Sequence, residues 1–185
     1  MIRIMKISCV LLVFFALTGC GSNNKITHIT HMGQPVSEHV VLEVVGGMNG
    51  GCGPAKHDFL RVLPDGNIES GAGGLGYRVP DGKVLIITDV DWQYVHPDYE
   101  LAAGKIEVLR LFIENLTEPS KQRRVFESTI TLSSMGVGGI SESVTSGFPV
   151  SSAARICPDV FPGPQGPPSG LQHLILRGYL IPENE

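Results

Sequence analysis

From residue 39 onward the chain alternates short apolar runs with clusters of Gly, Pro, Asn and Asp. No stretch carries the three-to-four spacing of a long amphipathic helix. The runs predict about eight strands, over 40–45, 59–63, 77–79, 84–95, 106–116, 124–132, 140–145 and 171–181. Two of the breaks, Leu63-Pro64-Asp65-Gly66-Asn67 and Val79-Pro80-Asp81-Gly82-Lys83, have the chemistry of tight turns between antiparallel neighbours: Pro fixes φ and Gly accepts positive φ. A parallel α/β sheet needs crossover helices, which the pattern lacks. The expectation is an all-β, antiparallel two-sheet β-sandwich, jelly-roll-like, with long Gly/Pro-rich loops.

Within 84–95, strict alternation places Val84, Ile86, Thr88, Val90, Trp92 and Tyr94 on one face. Trp92 thereby joins the core rather than forming a sugar platform. Asp89 and Asp91 project from the other face, about 7 Å apart. That separation lies in the broad range used by glycosidases, but two carboxylates on one strand are poorly placed to flank a scissile bond. They read as solvated groups or contacts in a binding groove. The runs 106–116 and 171–181 are apolar on both faces over part of their length, which suggests a covered outer face, by self-association into a trimer or by the chain's own loops.

The amino terminus follows a different logic. Arg3 and Lys6 precede an apolar run from 7 to 17, which is too short for the roughly 20 residues of a spanning helix. Leu17-Thr18-Gly19-Cys20 then resembles the lipobox of bacterial lipoproteins. The resemblance implies removal of residues 1–19, acylation of Cys20 and anchoring in the bilayer through it. Gly21, rather than the aspartate that retains such proteins at the inner membrane of enteric bacteria, implies the outer membrane, with the domain facing either side. Residues 20–38 then form the lipidated cysteine and a polar tether, reaching at most about 60 Å when extended, and 39–185 a single domain.

Removing Arg3 and Lys6 changes the charge balance. The whole chain has a net charge of -4, and the mature chain carries 12 basic against 18 acidic residues, net -6. An acidic chain without a basic stripe is not expected to bind nucleic acid. With 42% hydrophobic residues it can fill a core. Of four cysteines, Cys9 leaves with the signal and Cys20 is committed to lipid. In the oxidising compartment implied by the lipobox, Cys52 and Cys157 are expected to form one disulfide. It closes a loop of about 105 residues and is worth about 4–5 kcal/mol at most. It also fastens the glycine-rich segment 46–56 to the proline-rich segment 158–169, making that end of the sandwich a first candidate for a binding surface.

Candidate chemistry is sparse. Gly71-Ala72-Gly73-Gly74-Leu75-Gly76 matches a dinucleotide fingerprint, but a strand follows it instead of the required helix. No Gly-x-Ser-x-Gly elbow accompanies the many serines. The tightest polar cluster is His96-Pro97-Asp98-Tyr99-Glu100, and no two histidines stand one residue apart as a jelly-roll metal site would have them. No catalytic residue, metal or cofactor is therefore expected, and the binding candidates are Asp89, Asp91, His96, Asp98 and Glu100. The run from Val79 to Val90 resembles the lead-in to a core strand in jelly-roll domains of bacterial secreted and phage-tail proteins. Together these features imply a binding or assembly module for a glycan or an envelope protein. The alternatives are a cupin-like metal enzyme using His57, His96 and Glu100, or a purely structural envelope component.

Overall fold

The computed structural model describes residues 33, 35–45, 59–69, 76–98, 100, 102–162 and 170–183. After one turn of 3-10 helix at Val36–Glu38 these residues form nine strands: β1 (His39–Val45), β2 (Leu60–Val62), β3 (Ile68–Glu69), β4 (Lys83–Val95), β5 (Ile106–Asn115), β6 (Gln122–Thr131), β7 (Val137–Ser151), β8 (Ala154–Pro162) and β9 (Leu171–Pro182). Six strands build one antiparallel sheet in the order β3-β2-β1-β9-β4-β7, and three build the other in the order β6-β5-β8. The expected β-sandwich is therefore present. Both clusters close as turns, with Gly66 N–H donating to the Leu63 carbonyl at 2.9 Å and Lys83 N–H to that of Pro80 at 3.1 Å, but only the first joins antiparallel neighbours, β2 and β3; the second leads into β4 from a segment that is not a strand.

The core fills the space between the sheets. Val40, Leu42 and Val44 of β1 pack there with Leu85, Ile87, Val90, Trp92 and Tyr94 of β4. Leu174, Leu176 and Leu180 of β9 lie beside them, and Leu109, Leu111, Ile130, Ile156 and Val160 face them from the smaller sheet. Trp92 is fully buried and donates its indole N–H to the Ser128 hydroxyl on β6 at 3.0 Å, so the one polar atom of the ring is satisfied across the two sheets.

Four sequence expectations need correction. Strict alternation along β4 fails, because Thr88 is an unpaired extra residue: Ile87 pairs with Gly178 and Asp89 with the preceding Arg177. A bulge of one residue reverses the facing of everything before it, so Leu85 and Ile87 face the core while Val84 and Ile86 do not. The bulge also brings backbones together. A Cβ on Gly178 would stand 2.0 Å from the Ile86 carbonyl oxygen, so only glycine fits there.

Second, 158–162 is not loop: it completes β8, an outer strand of the three-stranded sheet. Prolines lack a ladder N–H and are tolerated on such a strand. Third, the run 77–79 is not a strand, although Tyr77 N–H donates to the Phe59 carbonyl at 2.6 Å. Fourth, β7 extends well beyond the expected 140–145 and is the longest strand. Cys157, opposite Phe112, is buried and disulfide-bonded. Cys52 and the segments 46–58 and 163–169 lie outside the described residues.

Candidate functional site

The candidate residues fall into two groups on opposite sides of the six-stranded sheet. Asp89 and Asp91 occupy its outer face. Asp89 is held from two directions: Ser143 donates to Oδ1 at 2.7 Å and Thr88 to Oδ2 at 2.7 Å. Asp91 lies between two side chains of β9, with His173 Nε2 at 3.7 Å from Oδ1 and the Arg177 guanidinium at 3.6 Å from Oδ2. The side chains of His173 and Arg177 remain 35% and 38% exposed, so their polar ends reach solvent.

Cross-strand pairing sets the surrounding pattern. Arg177, Asp89 and Ser143 form one row and Ile175, Asp91 and Ser141 the next. His173, Gln93 and Gly139 make a third, and Tyr179, Ile86 and Pro149 a fourth. The bulge at Thr88 creates this face, since it turns Asp89 and Asp91 outward while keeping both halves of β4 in register with the core.

His96 belongs to the other side. It continues the inward phase of Trp92 and Tyr94, is buried, and donates its backbone N–H to the Gly136 carbonyl at 2.8 Å. Its Nδ1 accepts the Asp98 N–H at 3.0 Å, so in the neutral ring the proton sits on Nε2. Asp98 and Glu100 are exposed. The structure therefore does not gather the five binding candidates into one site. Nor does it show the ligand set His57, His96 and Glu100, because His57 lies outside the described residues. Among the described residues no three His, Cys, Asp or Glu side chains are grouped to hold a metal ion.

One residue that the sequence reading missed stands out beside His96. Glu107 of β5 is completely buried, and neither carboxyl oxygen has a hydrogen-bond partner. Burial pushes its carboxyl above the ordinary glutamate range, with the charges of His96 and Lys105 pulling the other way. Burial likewise raises the Tyr94 phenol, and the Glu107 charge adds to it. The rings of Tyr94 and His96 meet edge-on, 6.4 Å between centroids. A carboxyl buried without hydrogen-bond partners holds its proton more firmly than one in water. A signal existed in the sequence: Glu107 shares the phase of Leu109 and Leu111, both core residues.

No protein-family model matches this chain, and no curated protein matches it.

Proposed function

We propose that the protein is a bacterial envelope lipoprotein, held in the outer membrane through acylated Cys20, whose β-sandwich binds a glycan on the outer face of the six-stranded sheet. The observation that carries the binding reading is the mosaic built by β4, β7 and β9. Carboxylates, hydroxyls, an amide and a guanidinium stand in adjacent rows, with the Tyr179 ring beside them. Such a surface can trade hydrogen bonds with sugar hydroxyls and cover an apolar sugar face. Its carboxylates are already oriented by Ser143, Thr88 and Arg177, which reduces the ordering cost of binding. We read the domain as a binding module, not a catalyst.

The anchor rests on Leu17-Thr18-Gly19-Cys20 and the tether on the polar composition up to Glu38. Two acyl groups exceed what stable membrane attachment requires. The Cys52–Cys157 bridge is supported by the bonded state of Cys157 and by the prior commitment of Cys9 and Cys20. The jelly-roll reading is supported by the chain's path: it alternates between sheets from β6 to β9 and returns to pair β9 with β1.

Two measurements test the proposal. Labelled palmitate should enter the wild-type chain and fractionate with outer membrane, whereas Cys20→Ser should remain unlabelled and soluble. On an array of bacterial surface glycans the wild type should give signals that Asp91→Ala and Arg177→Ala each reduce. A blank array would remove the glycan and leave a structural envelope role.

A further inference from the structure

The polar groups on the outer face of the six-stranded sheet are in two different states. Asp89 is satisfied within the protein, since each of its oxygens accepts a hydroxyl hydrogen bond at 2.7 Å. The groups around Ile175 of β9 are not. Cross-strand pairing sets Glu43 of β1 on one side of Ile175 and Asp91 of β4 on the other, in one row across three strands. His173 and Arg177 stand two residues before and two after Ile175 on β9, and therefore on the same face. Their approaches to Asp91, 3.7 and 3.6 Å, exceed hydrogen-bonding distance. None of the three has spent its donors or acceptors on the others. Glu43 makes no hydrogen bond or ion pair with any described residue.

Ile175 is thus an apolar centre framed by two acceptors across the strands and two donors along its own strand. From strand spacing and rise, the Glu43 and Asp91 backbones are about 10 Å apart and those of His173 and Arg177 about 14 Å. That leaves room for one pyranose ring with its substituents. All five residues are half-buried, so the frame is open to solvent.

We propose that this frame seats the acetamido group of an N-acetylated amino sugar. The inference rests on the glycan-binding reading and names the kind of sugar; it also extends the site to Glu43, on a strand outside the mosaic of β4, β7 and β9. An acetamido group needs three things together: an acceptor for its N–H, a donor for its carbonyl and an apolar contact for its methyl. With the methyl over Ile175, the N–H is in reach of the carboxylates, and the carbonyl is in reach of the Arg177 and His173 N–H groups. A hydroxyl at the same carbon leaves Ile175 without an apolar partner. A free ammonium meets the Arg177 guanidinium beside its carboxylates, and an anionic substituent meets Glu43 and Asp91.

The test is a chemical-shift titration of the full chain, in a detergent without a sugar head group, that follows the Ile175 methyl signals. The probes are three disaccharides that differ only in the substituent concerned: N,N′-diacetylchitobiose, its deacetylated form and cellobiose. Diacetylchitobiose should move the Ile175 signals and bind at least about tenfold more tightly than the other two, the worth of one buried methyl and one hydrogen bond. Glu43→Gln and Ile175→Ser should each cut that preference to about threefold or less, with an unchanged circular dichroism spectrum; binding by Ile175→Ser is followed through the amide signals. Equal binding of the three probes, or a preference that both variants retain, would overturn the assignment and leave the glycan reading standing. Tightest binding by the deacetylated form would overturn it too, because the frame would then read a charge. Silence toward all three probes in a chain that binds other glycans on the array would overturn the assignment alone, whereas silence toward every glycan would remove both readings.

Discussion

β5 carries two buried glutamates seven residues apart, and the fold treats them in opposite ways. Glu114 sits at the end of the strand next to the β5–β6 turn. Arg155 Nε donates to its Oε2 at 2.6 Å, a second Arg155 nitrogen contacts the same oxygen, and the Gln122 amide donates to Oε1 at 2.9 Å. Glu107, at the other end, is equally inaccessible and has no partner. A carboxylate kept only for structure is expected to look like Glu114, with each oxygen satisfied on removal from water. A carboxyl buried without partners sacrifices stability, and such groups concentrate where a protein needs an unusual proton affinity. The difference separates a clamped carboxylate from an unpartnered carboxyl within one strand.

That contrast breaks most visibly at Glu114. Glu114→Leu removes the carboxylate that the half-buried Arg155 guanidinium clamps and should cost about 3 kcal/mol in urea unfolding. A loss near zero would mean that the pair is not the clamp described. Ser128→Ala should cost less, about 1–2 kcal/mol, by leaving the buried Trp92 N–H without its acceptor. Glu107→Leu should go the other way: at neutral pH the variant should be as stable as the wild type or more so, by about 1 kcal/mol. Removal of a carboxyl without partners sacrifices no hydrogen bond.

The pH dependence has the same origin. Because the folded carboxyl of Glu107 is raised above the 4.5 of the unfolded chain, unfolding releases its proton in the interval between the two values. Its contribution is most favourable below 4.5 and is lost as pH rises through the folded value. Glu107→Gln should flatten this part of the wild-type stability curve. The smallest effect is expected at the exposed Glu127, whose carboxyl hydrogen bonds with Arg110 and Arg124 hold below the ordinary range. Glu127→Ala should leave the unfolding midpoint nearly unchanged, since solvent already screens these pairs.

The class of fold was legible in the chain because short apolar runs and Pro-Gly turns are local signals. What the chain concealed was non-local. β8 reads as loop because Pro158 and Pro162 argue against a strand, and only its outer position in the smaller sheet makes them harmless. The facing of Val84 to Ile87 was not legible either, since all four residues are apolar and periodicity is silent there; the bulge at Thr88 decides it. At the candidate site, the outward projection of Asp89 and Asp91 was readable, but not their partners His173 and Arg177, which come from a strand more than 80 residues away. Glu107 was hidden by its neighbours: in a run apolar on both faces, one charged residue reads as a surface position unless its phase is counted from Leu109 and Leu111.

The most direct test of the account is the titration of the Glu107 carboxyl carbon by NMR, with Glu127 as an internal reference. The structure predicts a midpoint above 4.5 for Glu107 and below it for Glu127, so that Glu107 takes up its proton at the higher pH. A Glu107 midpoint at or below 4.5 would show a carboxylate that is solvated or paired, and would contradict the reading of this end of β5 as holding a buried, unpartnered carboxyl.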